Sequence, residues 1–355
     1  MSDVEFERVE ASLARHEIVD FFFRHRRWPV ETRDEYFAIW DWRQRALSDG
    51  PAFAYVARLK STGEMVGHVG IYRRRFRIGN EIIQACVPGN LFVHPEWKGI
   101  VGVRLVMFFR SVIQDREFDL FLGFGNDLAN TMLARLGFAQ FGSMHTYVDV
   151  LDAAAVLHRR SRTLAPVAPL VNLGFAARRR WKRVRTSKTH LQVRRLAATD
   201  FETLDRGHWA PSPTMVAWDS NRFIVERYLN EPSAERVLFG LFHPVSESFE
   251  GFTAVETGAR LKVWDCQTNS AMIDPVDAIQ TVCETIPGAE TILAPTLPQS
   301  VLARRFKSAG YLDRESVDTI ETNTFVSALS LPDSPHADLF RDPARWSIWI
   351  GSRHY

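Results

Sequence analysis

The sequence predicts an α/β chain with mixed sheets, arranged as two tandem domains of one plan, the second a degenerate copy of the first. Three observations point there. A chain of 355 residues is too long for one ordinary core and suits two. Strand-like and helix-like patterns alternate along it. Two marks recur at similar spacing: Phe6-Glu7-Arg8-Val9 returns as Val193-Arg194-Arg195-Leu196 after 187 residues, and Leu136-Gly137-Phe138 returns as Ala309-Gly310-Tyr311 after 173. Similar offsets for two features indicate duplication. The expected division is a first domain over 1–150, a basic linker over 151–190 and a second domain over 191–355.

In chain order, residues 6–9 alternate as a short strand, and Leu13, Ile18, Val19 and Phe22 follow at helical spacing. Residues 33–47 place Tyr36, Phe37, Ile39, Trp40 and Leu47 as a second helix. Residues 52–59 and 65–72 read as strands joined by Ser61-Thr62-Gly63, a hairpin signal. A long extended stretch over 81–93 is interrupted by Pro88-Gly89. Residues 101–113 form an apolar helix, 118–124 a buried strand, 129–136 a helix and 140–150 a last strand. Gly137 and Gly310 suit the left-handed residue that ends a helix. The second half runs similarly: a strand at 193–196, a helix opened by the cap pair Thr199-Asp200, a hairpin over 237–242 and 252–255, a strand at 262–266 and a helix over 275–285. The last residues, with Trp346 and Trp349, are expected to pack on the second domain.

Composition narrows the class. A hydrophobic fraction of 46% with 24% charged residues is that of a globular protein. The 25 Phe and 10 Trp are read chiefly as core. Cys86, Cys266 and Cys283 are too few and scattered for a disulfide framework or a zinc site, and no metal is expected. Together with an acidic N-terminus and no apolar run of membrane-spanning length, this reads as cytoplasmic. The net charge of +2 hides an asymmetry: residues 151–190 hold ten Lys/Arg against Asp152 alone, a local +9. Helices are expected at 153–158 and 170–185. This linker is a solvated helix across the domains, or a docking surface for an acidic partner such as a carrier protein or for an anionic membrane, placing the protein peripherally there. Nucleic acid is disfavoured, because no recognition motif accompanies the charge.

The stretch with chemical content runs from Asn90 to Leu105: a strand ending at Val93-His94-Pro95, a turn Glu96-Trp97-Lys98-Gly99, then a helix. Backbone N–H groups at a helix start face an anion, glycine admits close approach, and Lys98 adds charge.

This stretch resembles the acyl-CoA loop of the GNAT acyltransferases, in which Val-x-Pro ends a strand and Arg/Gln-x-x-Gly-x-Gly/Ala enters a helix. Lys98 takes the Arg place. Val101 stands where the family has glycine, Gly102 comes one later, and Val103 takes the final place. A second match lies about 31 residues on: Asn126-Asp127-Leu128-Ala129 with Gly137-Phe138 fits the family's Asn-x-x-Ala…Gly-Phe helix, but Leu133 replaces its Tyr. The resemblance covers most of 1–150 and the second half in outline, and is similar to that of bacterial polysaccharide-associated members. It implies transfer of an acetyl or other acyl group from acyl-CoA to a small amine, such as an amino-sugar. The donor would be held by Val93, Lys98, Gly99, Gly102, Val103, Arg104 and Asn126.

The family's Tyr protonates the departing thiolate, and leucine has no proton to give. The attacking amine must lose a proton, for which Glu81 and His94 are the candidates. Cys86 as a covalent nucleophile lacks an activating base in sequence. In the second half no basic glycine turn appears, and Asp274 places negative charge at the helix start, so no CoA site is expected. Trp209, Trp218, Asp219 and Arg227 are possible acceptor contacts there. Two alternatives stand beside the acyl-CoA enzyme: an acyltransferase fed by an acyl carrier protein, and a non-catalytic binding module.

Overall fold

A computed structural model describes residues 3–160, 169–174, 191–231, 235–269, 273–315 and 324–349. The first sheet begins with β1 (Val4–Glu10), β2 (Phe53–Leu59), β3 (Met65–Gly79), β4 (Glu81–Val93) and β5 (Leu120–Gly125). Helices α1 (Arg15–Arg24) and α2 (Arg33–Leu47) intervene after β1, α3 (Lys98–Gln114) after β4, and α4 (Asp127–Arg135) after β5. The pleat sorts the core. On β2, Phe53, Tyr55 and Ala57 join the cluster under α3, whereas Ala54 and Val56 join the cluster under α1 and α2. Thr32 and Glu35 close a capping box on α2. The predicted left-handed glycines are seen at Gly137 (φ 84°) and Gly310 (φ 80°), and the turn glycine Gly63 is left-handed too (φ 73°).

The stretch 140–150 is not one strand. It divides into β6 (Ala139–Ser143) and β7 (His145–Val150) on either side of buried Met144. The two strands enter different sheets.

The second half continues with α5 (Ala153–Arg160), a short helix α6 (169–174), β8 (Gln192–Leu196), α7 (Ala198–Glu202), β9 (Ser212–Ala217), α8 (Asn221–Tyr228), β10 (Arg236–Phe242), β11 (Phe249–Glu256) and β12 (Arg260–Thr268). Then come α9 (Pro275–Cys283), β13 (Thr291–Thr296), α10 (Val301–Ser308), β14 (Leu312–Arg314), β15 (Phe325–Leu329), α11 (Ala337–Phe340) and β16 (Trp346–Ser347). Thr199 and Asp200 lie inside α7 rather than capping it: Ala197 is the cap residue, and Asp200 accepts its N–H at 3.2 Å. The rest of the helix expected over 170–185, and residues 350–355, fall outside the described residues.

The halves have one strand order with the penultimate strand exchanged. The first sheet runs β1-β2-β3-β4-β5-β15-β6 and the second β8-β10-β11-β12-β13-β7-β14. Each half therefore completes the other's sheet. Strand β9 also extends the first sheet, pairing Phe76 with Ala217 and Arg77 with Val216. One core cluster joins both halves through Phe76, Ile83, Trp209, Phe252 and Trp346. A buried ion pair crosses the junction: Arg74 meets Asp219 through two bonds of 2.9 and 2.6 Å.

Candidate functional site

The geometry of interest starts with a parallel pair that opens. Strand β4 pairs with β5 only at Ala85–Leu120 and Cys86–Phe121, while it stays bonded to β3 as far as Val93. From Val87 onward the β5-facing edge of β4 has no strand partner among the described residues. The ladder to β3 also slips by one residue between His68 and Gly70, with Asn90 in the left-handed region at φ 54°. This is a β-bulge, which re-aims the chain at a site.

The opening leads to the start of α3. A short 3-10 turn, Pro95–Trp97, runs straight into the helix. Trp97 provides no side-chain cap, and the first turn of α3 carries no acid. The first N–H groups of a 17-residue helix thus carry the positive end of its dipole with no side chain spent on them. Lys98 and Gly99 are exposed there.

The seven residues expected to hold a donor are distributed as follows. Val93 ends β4 and is buried under Gly102, where an added Cβ would lie 3.9 Å from its Cγ2. Gly99 has open space around it. Val103 is 42% exposed on the helix surface. The off-pattern Val101 faces the sheet: its Cγ1 would stand 2.9 Å from a Cβ on Gly67. The family's glycine is replaced here by a residue that packs the helix down. Asn126 is exposed and caps α4 by accepting the Ala129 N–H at 2.9 Å. Arg104 points elsewhere, its guanidinium 5.6 Å from the Phe6 ring centroid. It lines a cavity of about 300 Å³ between β1 and α3.

Glu81 and His94 do not form one site. They lie at opposite ends of β4, roughly 40 Å apart at the rise of an extended strand. Glu81 is paired with His336 Nε2 at 2.7 Å on the surface. His94 accepts the Glu96 N–H through Nδ1 at 3.3 Å and packs edge-on against His25, ring centroids 4.9 Å apart. Cys86 is fully buried, and burial pushes its thiol well up, so no thiolate forms there. Leu133 is core, clustered with Phe121 and Phe138.

The structure brings forward a polar group that periodicity alone reads as core. Under the bulge, Asn90 joins three partners: it accepts from Arg43 Nη1 at 2.6 Å, donates to the Tyr72 hydroxyl at 2.8 Å, and offers its carbonyl to His68 Nδ1 at 3.0 Å. A carbonyl only accepts, so Nδ1 carries the hydrogen and Nε2 is a bare acceptor. His68 is fully buried and its Nε2 has no partner; the Nε1 of buried Trp40 shares that state. Burial pulls the His68 imidazole down to about 4, so it is neutral at pH 7. These side chains are on the α2 face, opposite α3.

The second half opens in the same place but is closed by different chemistry. Strand β12 pairs with β13 only over Arg260–Lys262 and Thr291–Leu293. Asp274 caps α9 by accepting the Val276 N–H at 2.8 Å and pairs with Arg305 at 3.2 Å. Pro275 occupies the first turn and has no N–H. The four side chains considered as acceptor contacts have structural partners: Trp209 donates to the Phe249 carbonyl, Trp218 packs edge-on against Trp209, Asp219 holds Arg74, and Arg227 donates to the Ala46 carbonyl. Among the described residues no group of three His, Cys, Asp or Glu side chains is placed to hold a metal ion, and no helix is long and apolar enough to cross a membrane.

No protein-family model matches the sequence, and no curated protein matches it. Solved structures match its fold. A conserved protein of Enterococcus faecalis V583, described as a probable N-acyltransferase, aligns at TM-score 0.59 and 8% identity over 92% of this chain and 72% of that one. A GCN5-related N-acetyltransferase from Anabaena variabilis aligns at TM-score 0.55 and 7% identity over 91% and 72%. One from Kribbella flavida aligns at TM-score 0.52 and 13% identity over 95% and 73%. The likeness is one of fold: this chain has the GNAT architecture across both halves, the second lacking the basic glycine turn.

Proposed function

We propose that this protein is an acyl-CoA-dependent N-acyltransferase with one donor site, in the first half. The observation that carries this reading is the unpaired edge of β4 leading directly to the uncapped start of α3. In this reading the pantetheine arm takes the place of the missing strand along Val87–Val93, bonding to backbone groups that β5 does not reach. The pyrophosphate lies over the first N–H groups of α3 beside Lys98, Gly99 and Gly102, with Val103 on the flank. Asn126 reaches the arm from α4. Arg104 is the weakest of these assignments, since it faces Phe6.

The reaction is direct attack. The amine nitrogen bonds to the thioester carbonyl carbon, the C–S bond breaks, and the nitrogen passes its proton to water. A backbone N–H near Val93 or the bulge stabilises the developing oxyanion. With Leu133 in the core, the thiolate leaves unaided or takes its proton from water. The acceptor side is read as the α2 face of β4, where His68 Nε2 and Trp40 Nε1 are buried without polar partners. Glu81 lies too far along the strand to take the amine's proton, and the Nδ1 of His94 already accepts the Glu96 N–H. The amine's structure, an amino-sugar included, is open to a screen.

Isothermal titration with acetyl-CoA and a long-chain acyl-CoA is the direct test. One molecule bound per chain, followed by amine-dependent release of free thiol, supports the reading. A folded protein that binds neither donor overturns it.

A further inference from the structure

The opening of the second sheet is not empty of chemistry. Between β12, α9, α10 and the first half's long β3 strand lies a cavity of about 130 Å³. Its wall includes Arg77, Trp218, Cys266, Thr214, Arg305 and Trp349. At about 30 Å³ per water, it has room for about four waters or one small molecule of a few heavy atoms.

Arg77 is the notable group. It is 7% exposed, and no carboxylate among the described residues lies within ion-pair distance of it. Its two Nη atoms donate to the carbonyls of Trp209 and Ala210, the latter at 2.9 Å, and its guanidinium lies over the Trp218 ring at 3.7 Å. Its Nε is buried without any partner. A buried charge normally has a counter-charge, because burial alone is costly. The second cation of the wall, Arg305, is already matched by Asp274. The cavity therefore carries one uncompensated positive charge, with an N–H unspent and an aromatic plate behind it. Residues nine apart on β3 are separated by roughly 30 Å, so this cavity is far from His68 and the first opening.

We propose that this cavity binds a small oxyanion, a carboxylate or a phosphate, through Arg77, as a ligand site separate from the acyl donor. The proposal does not depend on the donor reading. Each Nη of Arg77 carries two hydrogens and spends one on a carbonyl, so the guanidinium keeps N–H groups for directional, charge-assisted bonds to an oxyanion, and the volume limits the ligand to the size of acetate, propionate or inorganic phosphate.

The test is a titration of the full chain with acetate, propionate and inorganic phosphate at constant ionic strength set by chloride, read by tryptophan fluorescence and by melting temperature. Trp218 and Trp209 sit at the charge, so binding should change fluorescence saturably and raise the melting temperature. Saturation by acetate and propionate alone assigns a carboxylate; saturation by phosphate alone assigns a phosphate. Arg77→Met should weaken the response at least tenfold while leaving acetyl-CoA titration as in the wild type. Should that variant misfold, Arg77→Lys keeps the charge without the fork and should bind more weakly than the wild type. A wild-type response equal to that of chloride, or an unchanged response in both variants, overturns the proposal.

Discussion

The two halves open the same parallel strand pair and then treat the opening in opposite ways. In the first, β4 parts from β5 after Cys86 and faces the helix start at Lys98, which has no cap and no acid. In the second, β12 parts from β13 after Lys262, but Asp274 consumes an N–H of α9, Pro275 removes another, and Arg305 neutralises the aspartate. The buried polar groups are opposite too. Beneath the first opening sits a neutral imidazole with a bare acceptor; beside the second sits a guanidinium with a bare donor. Identical strand order therefore does not carry a ligand preference. A few side chains at the mouth of the opening decide it, by leaving the helix's first N–H groups unspent in one half and capping or removing them in the other.

The comparison breaks most severely at the joint. Asp219→Ala strips Arg74 of its bidentate carboxylate in the shared core and should cost about 3–5 kcal/mol in urea unfolding. A loss within the ordinary surface range would show that water reaches Arg74 and that the halves are less tightly joined.

Next in size is a pair of opposing pH effects, one per half. His68 is held near 4 by burial, below its usual value. It favours the folded state above the unfolded imidazole's pKa, and that stability is lost as pH falls from about 6.5 toward 4. Asp265, buried on β12 with Tyr228 and Gln267 donating to it and Arg74, Arg206 and Asp219 nearby, is pushed up to about 6 by burial. It favours the folded state below about 4, and that stability is lost as pH rises through 6. Each amounts to ~3 kcal/mol, so the two slopes oppose between pH 4 and 6. His68→Asn should leave a protein that gains stability on acidification in that window. Asp265→Asn should leave one that loses it. Parallel pH–stability profiles for the two variants would refute the burial of one or both groups.

Charge at the mouths gives a smaller effect. Lys98→Glu should weaken acetyl-CoA binding about tenfold, or ~1.4 kcal/mol, by calorimetry. The mirror change Asp274→Lys should create no donor binding, because Pro275 still lacks its N–H. Binding gained there would mean that charge alone separates the halves. Smallest is the cap: Asn126→Ala should cost ~1 kcal/mol of thermal or chemical stability, with a separate loss in donor affinity if the side chain also reaches the donor.

Much of the fold was legible. Alternation and helical spacing located β2, β4, α2 and α3 to within a few residues, because each has a strong pattern; β3 was expected to end at Tyr72 and runs on to Gly79. The helix-ending glycines were legible because only a left-handed residue fits there. The loop from Val93 to Gly102 was legible through its motif, and Asp274 through its charge. The roles offered to Glu81 and His94 rested on nearness in sequence, and an extended strand places those residues at opposite ends. His68 and Trp40 carried no local signal. A histidine in an apolar strand reads as core until its orphaned nitrogen is located in space, and Arg77 reads as one more arginine in Arg73-Arg74-Arg75-Phe76-Arg77.

By itself the sequence determined the duplicated plan, the order of strands and helices, and which half keeps a basic, uncapped helix start. These follow from local periodicity, turn chemistry and charge, all of which act within a few residues. The tertiary structure alone decided that β7 and β15 change places, that the opening of β4 lies above a buried polar group, and that Arg77 from the first half lines the cavity of the second. Those outcomes depend on backbone pairing and burial between residues distant in the chain, more than a hundred positions apart for the strand exchange and the Arg77 cavity, and no pattern along the chain encodes which of two equivalent strands completes a given sheet.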